Sequence, residues 1–256
     1  MSYDFSGRSV VITGGAGVIG RVTARYFVEA GARVFLSDVD AIALEAARGE
    51  LTGAAGASVC DIRDPAQCEA MIAAAESFFR SPVDVFLANA GRPFSGSLQE
   101  ASVEEIRAVI DVNVTGSILS AQAALRSLVR GRDPSLLFTG SLQSVSGRAQ
   151  RSVYTASKHA IAGLIKSLAL ELGPMGVRVN GIAPTLIDTP FLHQAYAGVG
   201  LDVDTGLARA AAGLPLGRIP TADDFAQAAL FLASPAAASV TGHLLMLDCG
   251  ASVGKF

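Results

Sequence analysis

The sequence predicts an α/β fold in which a doubly wound parallel sheet of about seven strands has helices on both faces. Three observations predict it: short β-branched runs recur, alanine-rich segments with helical spacing separate them, and a glycine-rich turn follows the first run. The runs lack alternation of apolar and polar residues, which is typical of strands that crossover helices bury on both faces. We expect a single domain over residues 1–256.

The elements follow one another in strand and helix alternation. The predicted strands are residues 10–13, 34–37, 57–60, 83–88, 136–139, 177–182 and 244–247. The predicted helices include residues 21–30, 65–79, 103–129, 154–172 and 222–233. Residues 185–218 form the least regular stretch, with two prolines and five glycines, so we expect them to form a lid over an active site.

Composition favours small-molecule chemistry. Half of the 256 residues are apolar, which is enough for a substantial core. A net charge of −3 and the absence of any Lys/Arg block leave no electrostatic attraction for nucleic acid or an anionic membrane. The residues before Arg8 lack a signal-peptide pattern and no apolar run approaches about 18 residues, so we expect a cytoplasmic protein.

Cysteine and histidine usage predicts no metal site. Cys60, Cys68 and Cys249 have no C-x-x-C spacing and no histidine at ligand intervals, so they are interpreted as reduced thiols. His159, His193 and His243 lack carboxylate partners at useful spacing and are interpreted as structural. His193 alone falls in the predicted lid, where facing a substrate is the alternative.

A glycine-rich turn follows the first predicted strand and precedes a helix. Residues 15–20 match the pattern G-x-G-x-x-G, in which glycines allow a tight turn and a close approach of a pyrophosphate to the backbone. The helix N-terminus that follows offers N–H groups and partial positive charge to the anion. A purely structural turn is the alternative. The placement indicates a Rossmann-like dinucleotide site.

Asp38 ends the second predicted strand, eighteen residues after Gly20. A carboxylate at this point accepts hydrogen bonds from the adenosine ribose and repels a 2′-phosphate, so we expect NAD to be preferred over NADP. The alternative is that Asp38 caps the helix that starts near Ala41, although Asp40 could cap it equally well.

Tyr154 and Lys158 stand four residues apart on a predicted helix, thirteen residues or more after Ser141. One helical turn puts both side chains on the same face, about 6 Å apart along the axis. A charge about 4 Å from a phenolate is worth roughly 4 kcal/mol at an effective dielectric near 20, so we expect Lys158 to lower the pKa of Tyr154 by as much as about 3. Tyr154 would then act as an acid or base near neutral pH. Chance spacing is the alternative, which the neighbouring motifs must decide.

With these motifs in place, the chain resembles the classical short-chain dehydrogenase/reductase family over residues 7–250. The motifs occur in the order and spacing of that family. They are residues 13–20, Asp61-Ile62, Asn89-Ala90-Gly91, Asn113, Ser141, Tyr154 with Lys158, residues 184–189 and residues 247–250.

The resemblance implies catalytic roles for four residues, Asn113, Ser141, Tyr154 and Lys158. Tyr154 is implied to be the general acid/base, Lys158 to lower its pKa and hold the nicotinamide ribose, and Ser141 to hydrogen-bond the reacting oxygen. Asn113 is implied to hold a water that links the site to solvent. The residues alone leave another interpretation of Asn113, which could bend its helix or hydrogen-bond the backbone.

The same resemblance implies the cofactor and substrate contacts. Asp61 would meet the adenine with Ile62 beside it, and Ile187 with Thr189 would contact the carboxamide. Asn89 could instead serve only as turn chemistry at the strand end. The cofactor-binding set is Gly14, Gly17, Ile19, Gly20, Asp38, Asp61, Ile62, Asn89, Ala90, Gly91, Tyr154, Lys158, Pro184, Ile187 and Thr189. The substrate-binding set is Ser141, Gln143 and Tyr154, and pocket shape would depend on the lid and on Arg92, Phe94, Gln143, Val145 and Arg148.

Three positions depart from the family pattern. Val18 stands where a glycine is common, and a β-branched residue there would obstruct the pyrophosphate if that position needed positive φ. Thr185 follows Pro184 where glycine is usual, and Ala88 stands where the family has asparagine before Asn89. These departures bear on cofactor affinity and leave the catalytic residues intact.

The sequence thus predicts an NAD-dependent oxidoreductase that transfers a hydride between a nicotinamide cofactor and a secondary alcohol or ketone, such as a polyol, a sugar or a steroid-like compound. The alternatives are a reductase of 3-oxoacyl carrier-protein thioesters and a non-catalytic nucleotide-sensing or scaffold protein of the same fold. We also expect a homo-oligomer, a dimer or a tetramer, because Ala156, Ala160, Gly163 and Ala169 would let two helices pack closely.

Overall fold

A seven-stranded parallel sheet organises the computed structural model, which describes residues 3–254 apart from 52, 54, 190–191, 194–199 and 201. The strand order across the sheet is β3-β2-β1-β4-β5-β6-β7, which is the doubly wound arrangement that the sequence predicts. The strands are β1 Ser9–Thr13, β2 Arg33–Asp38, β3 Ala55–Val59, β4 Val85–Ala88, β5 Ser135–Thr139, β6 Arg178–Pro184 and β7 Leu244–Leu247.

Side-chain alternation along the strands builds a core on each face of the sheet. Val10 and Ile12 of β1 pack into one apolar cluster, whereas Val11 between them packs into the other. The period of two along a strand sends neighbouring side chains to opposite faces, and both faces are covered here. This explains why the strand sequences are apolar throughout and show no alternation.

The described residues form eight α-helices. They are α1 Val18–Glu29, α2 Ala41–Gly49, α3 Pro65–Phe79, α4 Val103–Ile110, α5 Ser117–Leu128, α6 Ser152–Leu172, α7 Val203–Ala212 and α8 Ala222–Ala233. Side-chain caps fix several starts: Asp40 accepts from the first turn of α2, Asp64 from that of α3, and Ser102 and Thr221 form capping boxes. Short 3₁₀ turns occupy Leu142–Ser144, Gly173–Met175 and Pro235–Ala237.

The helix predicted over residues 103–129 is interrupted. A π-helical turn, Asp111–Gly116, joins α4 to α5 and carries Asn113. Val103–Leu128 together span 26 residues and include an 18-residue stretch with a mean hydropathy of 1.3, which by length and composition alone would suffice to cross a membrane. Ala121, Ala124 and Leu128 of this segment pack into a core cluster of the sheet, so its apolar face has a partner within the fold.

The predicted lid, residues 185–218, is more regular than its sequence indicates. Its residues 190–191, 194–199 and 201 lie outside the described part of the chain, but α7 forms from Val203 to Ala212. The Asp202 side chain accepts a hydrogen bond from the N–H of Thr205 and caps that helix. The glycine in the middle of α7 weakens helical propensity, which is why sequence periodicity did not predict it.

Three of the four residues proposed for a subunit interface are exposed on α6. Ala156, Ala160 and Gly163 are exposed, and a Cβ added at Gly163 would meet nothing within 4 Å. Ala169 is buried in the core instead, so its inclusion in that face was wrong. It lies on the side of α6 that packs against the sheet, where small size serves internal packing.

Candidate active site

A cleft of about 940 Å³ lies at the carboxyl edge of the strands. Loops that follow β1, β2, β4, β5 and β6 line it, which is the edge where open α/β sheets bind ligands. Of the predicted site residues, Gly20 and Asn113 do not line the cleft. Those that do are Gly14, Gly17, Ile19, Asp38, Asp61, Ile62, Asn89, Ala90, Gly91, Ser141, Gln143, Tyr154, Lys158, Pro184, Ile187 and Thr189.

The glycine-rich turn is shaped to receive an anion. Gly14 has a φ of +64°, and a Cβ there would lie 2.8 Å from the Cα of Ala90. A Cβ at Gly20 would collide with the carbonyl oxygen of Gly14, so this glycine serves close packing of the turn on α1. Gly17 caps α1 without any side-chain hydrogen bond, and the first turn holds no acidic residue. The start of α1 therefore lies at the cleft with no capping or acidic side chain to compete for its first N–H groups, which suits a pyrophosphate.

Val18 does not obstruct this turn through backbone strain. It is the first residue of α1 and is absent from the residues with positive φ in the described chain. Its side chain packs partly against the core cluster that holds Ile12 and Leu36. The residue of this turn that needs a positive φ, which a β-branched side chain would disfavour, is Gly14 and not Val18.

The sequence left two roles open for Asp38, contact with a cofactor and capping of α2. The structure assigns the capping role to Asp40. Oδ1 of Asp40 accepts from the N–H groups of Ile42 and Ala43 and caps α2. Oδ2 of Asp38 accepts from the N–H of Ala16 at 3.1 Å, inside the cleft. The capping interpretation of Asp38 is therefore wrong, and its carboxylate faces the cleft.

Two arginines at this end of the cleft already have carboxylate partners. Arg63 pairs with Asp61 at 2.5 Å, and this hydrogen bond lowers the pKa of the Asp61 carboxyl. Arg21 pairs with Glu50. Ile62 is buried and touches the position where a Cβ of Gly116 would stand. This end of the cleft thus offers acidic oxygens and an apolar wall, which suits an adenosine with free ribose hydroxyls.

Asn89 connects the carboxyl ends of three strands, β1, β4 and β5, through hydrogen bonds. Its Nδ2 donates to the carbonyl oxygen of Gly14 at 3.1 Å, and its Oδ1 accepts from the hydroxyl of Thr139 at 3.0 Å. The N–H groups of Asn89 and Ala90 both donate to the hydroxyl of Thr13. Both side-chain ends are therefore engaged within the protein, and Asn89 builds the floor of the cleft.

Asn113 lies in the π-helical turn and is 1% exposed. Its Oδ1 accepts from the N–H of Arg92 at 2.6 Å, while its Nδ2 donates to the carbonyl oxygen of Arg92 at 2.8 Å and to Oγ of Ser157 at 3.0 Å. Hydrogen bonding of Asn113 to the backbone is the alternative interpretation that the sequence allowed. Asn113 fixes the loop after β4 against α6 from behind the cleft.

Ser141, Gln143 and Tyr154 share one wall of the cleft. The Ser141 hydroxyl donates to Oε1 of Gln143 at 2.6 Å and accepts from the Gln143 N–H at 3.2 Å. Burial raises the pKa of Tyr154, and a hydrogen bond with the Ser141 hydroxyl lowers it in part. The net direction is upward, so the expected lowering of this pKa is wrong for the protein alone.

Lys158 is buried next to the Tyr154 ring. It is 6% exposed, and its Nζ donates to the carbonyl oxygen of Thr139 at 2.8 Å. The ammonium lies 5.7 Å from the centre of the Tyr154 ring. Burial lowers the pKa of Lys158 to about 8. Two of its three hydrogens remain for other acceptors, such as the hydroxyls of a ribose.

The segment after β6 closes the cleft opposite Asn89. The N–H of Thr185 donates to the carbonyl oxygen of Leu247 at 3.2 Å, which anchors the chain where the family has glycine. Ile187 is buried, and the hydroxyl of Thr189 accepts from the N–H of Leu192 at 3.4 Å. Nε2 of His193 and Oδ1 of Asp188 lie 2.5 Å apart on the exposed side, so the expectation that His193 has no carboxylate partner is wrong.

Among the residues expected to shape the substrate pocket, sequence reasoning missed some lining residues and included two that do not line the cleft. Phe94 is buried in a separate cluster and Val145 is exposed, whereas Arg92 and Arg148 line the cleft as expected. Arg151 also lines it but was not predicted. Its spacing of three residues before Tyr154, which places both on one side of a helix, is a signal that could have found it.

Comparison with known proteins gives consistent matches across the chain. Residues 14–252 match a family model described as enoyl-(acyl carrier protein) reductase. A 2,5-dichloro-2,5-cyclohexadiene-1,4-diol dehydrogenase of Sphingobium indicum is 35% identical over 250 residues, which is 96% of this chain and 98% of the relative.

Two crystal structures from Brucella melitensis match the fold over nearly their whole length. One is a short-chain dehydrogenase/reductase described as a glucose/ribitol dehydrogenase, with a TM-score of 0.91 and 28% identity over 98% of this chain and 99% of that one. The other is a 3-ketoacyl-(acyl-carrier-protein) reductase complexed with NADH, with a TM-score of 0.87 and 30% identity over 97% of this chain and 100% of that one.

Proposed function

Because this chain belongs to the short-chain dehydrogenase/reductase family, we propose that it is an NAD-dependent dehydrogenase of secondary alcohols that also reduces the matching ketones. The observation that carries the proposal is one continuous cleft. At one end lie Asp38 and the glycine-rich turn, and at the other end lie Ser141, Tyr154 and Lys158. The first group suits an adenine dinucleotide, and the second suits proton transfer at an alcohol oxygen.

The bound nicotinamide would supply the acceptor for the hydride that leaves the carbinol carbon. Tyr154 takes the hydroxyl proton of the alcohol at its phenolic oxygen, or returns it to a ketone in the reverse direction. The raised pKa keeps Tyr154 protonated at neutral pH, which is the state that donates to a ketone. Ser141 positions the reacting oxygen, and Lys158 offers its free N–H groups to ribose hydroxyls beside the phenol.

The choice of NAD rests on charge at the adenosine end. A 2′-phosphate there would approach the carboxylate of Asp38, which has no ion pair among the described side chains. Arg21 and Arg63 could otherwise attract that phosphate, but Glu50 and Asp61 already neutralise them. NADP binding would therefore place like charges together and NAD binding would not.

Polyols, sugars and related secondary alcohols are the first substrate candidates, since the diol dehydrogenase and the glucose/ribitol dehydrogenase named above act on hydroxyl groups. A reductase of 3-oxoacyl carrier-protein thioesters is the second candidate, supported by the similarity to the Brucella melitensis reductase. A protein of this fold without turnover is a third possibility, which activity measurements decide.

The experiment is a spectrophotometric screen of the purified protein with NAD and NADP. Secondary alcohols, polyols and sugars are offered in the oxidative direction, and 3-oxoacyl thioesters with the reduced cofactors in the other. We expect NAD-linked oxidation of alcohols with little NADP-linked activity. Turnover of thioesters alone would support the second candidate, and the absence of turnover with bound NAD would support a non-catalytic role.

A further inference from the structure

Charge is divided unequally along the cleft. At the adenosine end the lining includes the carboxylates of Asp38 and Asp61. At the end that holds Tyr154, the charged side chains among the described lining residues are all cationic. They are Arg92, Arg148, Arg151 and Lys158.

Arg148 and Arg151 face this end without a carboxylate partner in the described part of the chain. NH1 of half-buried Arg151 donates to the carbonyl oxygen of Phe94 at 2.9 Å, which leaves most of its five N–H groups free. Arg148 is exposed and close enough that its charge, together with burial, lowers the pKa of Arg151. Arg21 and Arg63 line the same cleft and are both paired, so the lack of partners is specific to this end.

The sequence also excludes a carboxylate from nearby undescribed residues. No aspartate or glutamate occurs between Thr189 and Leu201, the part of the lid that is only partly described. None occurs between Ser141 and Val153. Arg92 differs from the other two, because its charge acts on Glu105 at the start of α4. We therefore base the inference on Arg148 and Arg151.

The start of α6 adds positive potential at the same wall. This helix has 21 residues, begins at Ser152, has no side-chain cap and carries no acidic residue in its first turn. Its first N–H groups and its macrodipole favour an anion beside Arg151. Other helices of this chain, such as α2, α3 and α4, have acidic or hydroxyl caps at this position.

We propose that the substrate of this enzyme carries a carboxylate, which Arg148 and Arg151 bind at the start of α6 while Tyr154 acts on its hydroxyl. The proposal rests on the proposed function and specifies its substrate class, a hydroxy or oxo carboxylic acid. Guanidinium groups bind carboxylates through paired, charge-assisted hydrogen bonds, and a bound carboxylate relieves the repulsion between the two arginines. The cofactor phosphates have a separate place at the start of α1.

The test compares each acid with its methyl ester as substrates with saturating NAD. Suitable pairs are 3-hydroxybutyrate and 3-hydroxycyclohexanecarboxylate with their esters. We expect kcat/KM to favour the acid in the wild-type protein by at least about 10-fold. The double variant Arg148→Gln/Arg151→Gln should reduce this acid-to-ester ratio by about 10- to 100-fold, mainly through KM for the acid.

Two further variants separate charge from structure. Arg151→Lys retains the charge and should keep part of the preference, which guards against misfolding of the glutamine variant. Arg63→Gln removes an arginine that lines the cleft but is paired with Asp61, so the ratio should not change. Calorimetric titration of cyclohexanecarboxylate into the protein with NADH gives a readout other than turnover, and we expect its affinity to fall with salt and in the double variant.

The outcomes distinguish this inference from the function on which it rests. Oxidation of neutral alcohols without a preference for acids, or an unchanged ratio in the double variant, would overturn the carboxylate site and leave the dehydrogenase intact. If no alcohol is oxidised, the dehydrogenase assignment fails and the titration decides alone. Carboxylate binding that the double variant loses supports the site, and no binding overturns it.

Discussion

The hydroxyl of Ser141 donates its only hydrogen to Oε1 of Gln143 over 2.6 Å. The same hydroxyl also hydrogen-bonds Tyr154 and lowers the pKa of that phenol against the effect of burial. Donation to a phenolate would require the Ser141 hydroxyl to rotate away from Gln143. We therefore expect Gln143 and the ionised Tyr154 to compete for one hydrogen.

Replacing Gln143 with leucine should lower the pKa of Tyr154. Without the competing acceptor, Ser141 donates freely to the phenolate, and one hydrogen bond of about 0.5–1.5 kcal/mol corresponds to about 0.4–1 in pKa. We expect the pH dependence of kcat/KM for alcohol oxidation to move to lower pH by that amount. Ser146→Ala is the matched control, since the Ser146 hydroxyl lines the cleft but donates to Leu142. An unchanged profile in Gln143→Leu would refute the competition.

Removing the Tyr154 hydroxyl should abolish proton transfer and leave the cleft intact. Tyr154→Phe retains the ring that packs beside Val153 and Phe94, so we expect NAD affinity within about 3-fold of wild type. General acid/base catalysis contributes about 10²- to 10⁴-fold, and kcat should fall accordingly. Tyr26→Phe, at a half-buried tyrosine on α1 that does not line the cleft, provides the control. More than a tenth of wild-type kcat in Tyr154→Phe would show that another group transfers the proton.

Asp38 and Asp40 provide a pair of variants that separates cofactor choice from helix capping. Asp38→Ser removes the charge that faces the ribose, and we expect the ratio of kcat/KM for NAD over NADP to fall by at least about 10-fold. Asp40→Ser alters only the cap of α2, so unfolding measurements should show a loss of no more than about 1 kcal/mol and the ratio should stay constant. A wild-type preference for NADP would contradict the role of Asp38.

Buried Lys158 should make stability depend on pH. Its folded pKa of about 8 lies below the ordinary 10.5, so the unfolded chain binds more protons between these values and stability rises as pH increases through that window. Below pH 8 the full penalty of burying the ammonium is present. We therefore expect Lys158→Met to be more stable than wild type at pH 6.5, and this difference to shrink by pH 10 in urea unfolding.

Two opposing contributions set the difference in unfolding free energy between Lys158→Met and wild type. The pKa change corresponds to about 3 kcal/mol, and the lost hydrogen bond to Thr139 offsets about 1 kcal/mol of it. Lys166→Met, at an exposed lysine of the same helix, is the matched control for the loss of a lysine. Equal stabilities of Lys158→Met and wild type at both pH values would mean that Lys158 is solvated.

The exposed small residues of α6 predict an oligomer that a charge would disrupt. Ala156, Ala160 and Gly163 allow close approach of a second α6, and Gly163→Glu should convert the assembly to a smaller species in sedimentation velocity. Ala70→Glu, at an exposed alanine of α3, is the control and should leave the mass unchanged. A wild-type protein that sediments as a monomer would refute the predicted interface.

Local spacing patterns in the sequence were sufficient to predict the sheet and much of the candidate site. The glycine-rich turn, Asp38 and the pair Tyr154 and Lys158 were all found from short-range patterns, and the structure brings them to one cleft. The burial of both sheet faces also follows from the alternation of strands and helices. The helix α7 and the π-helical turn at Asn113 were not predicted, because their conformations depend on caps and partners outside the local pattern.

The sequence by itself determined which side chains stand one helical turn apart and which follow a strand, since these relations depend only on backbone period. Only the tertiary structure decided that Lys158 reaches the carbonyl of Thr139, that burial raises the pKa of Tyr154, and that Asp40 and not Asp38 caps α2. It also brought Arg148 and Arg151 to one wall of the cleft, where they have no carboxylate partner among the described residues. Solvation and contacts between distant segments control these properties, and both exist only after the chain has folded around the sheet.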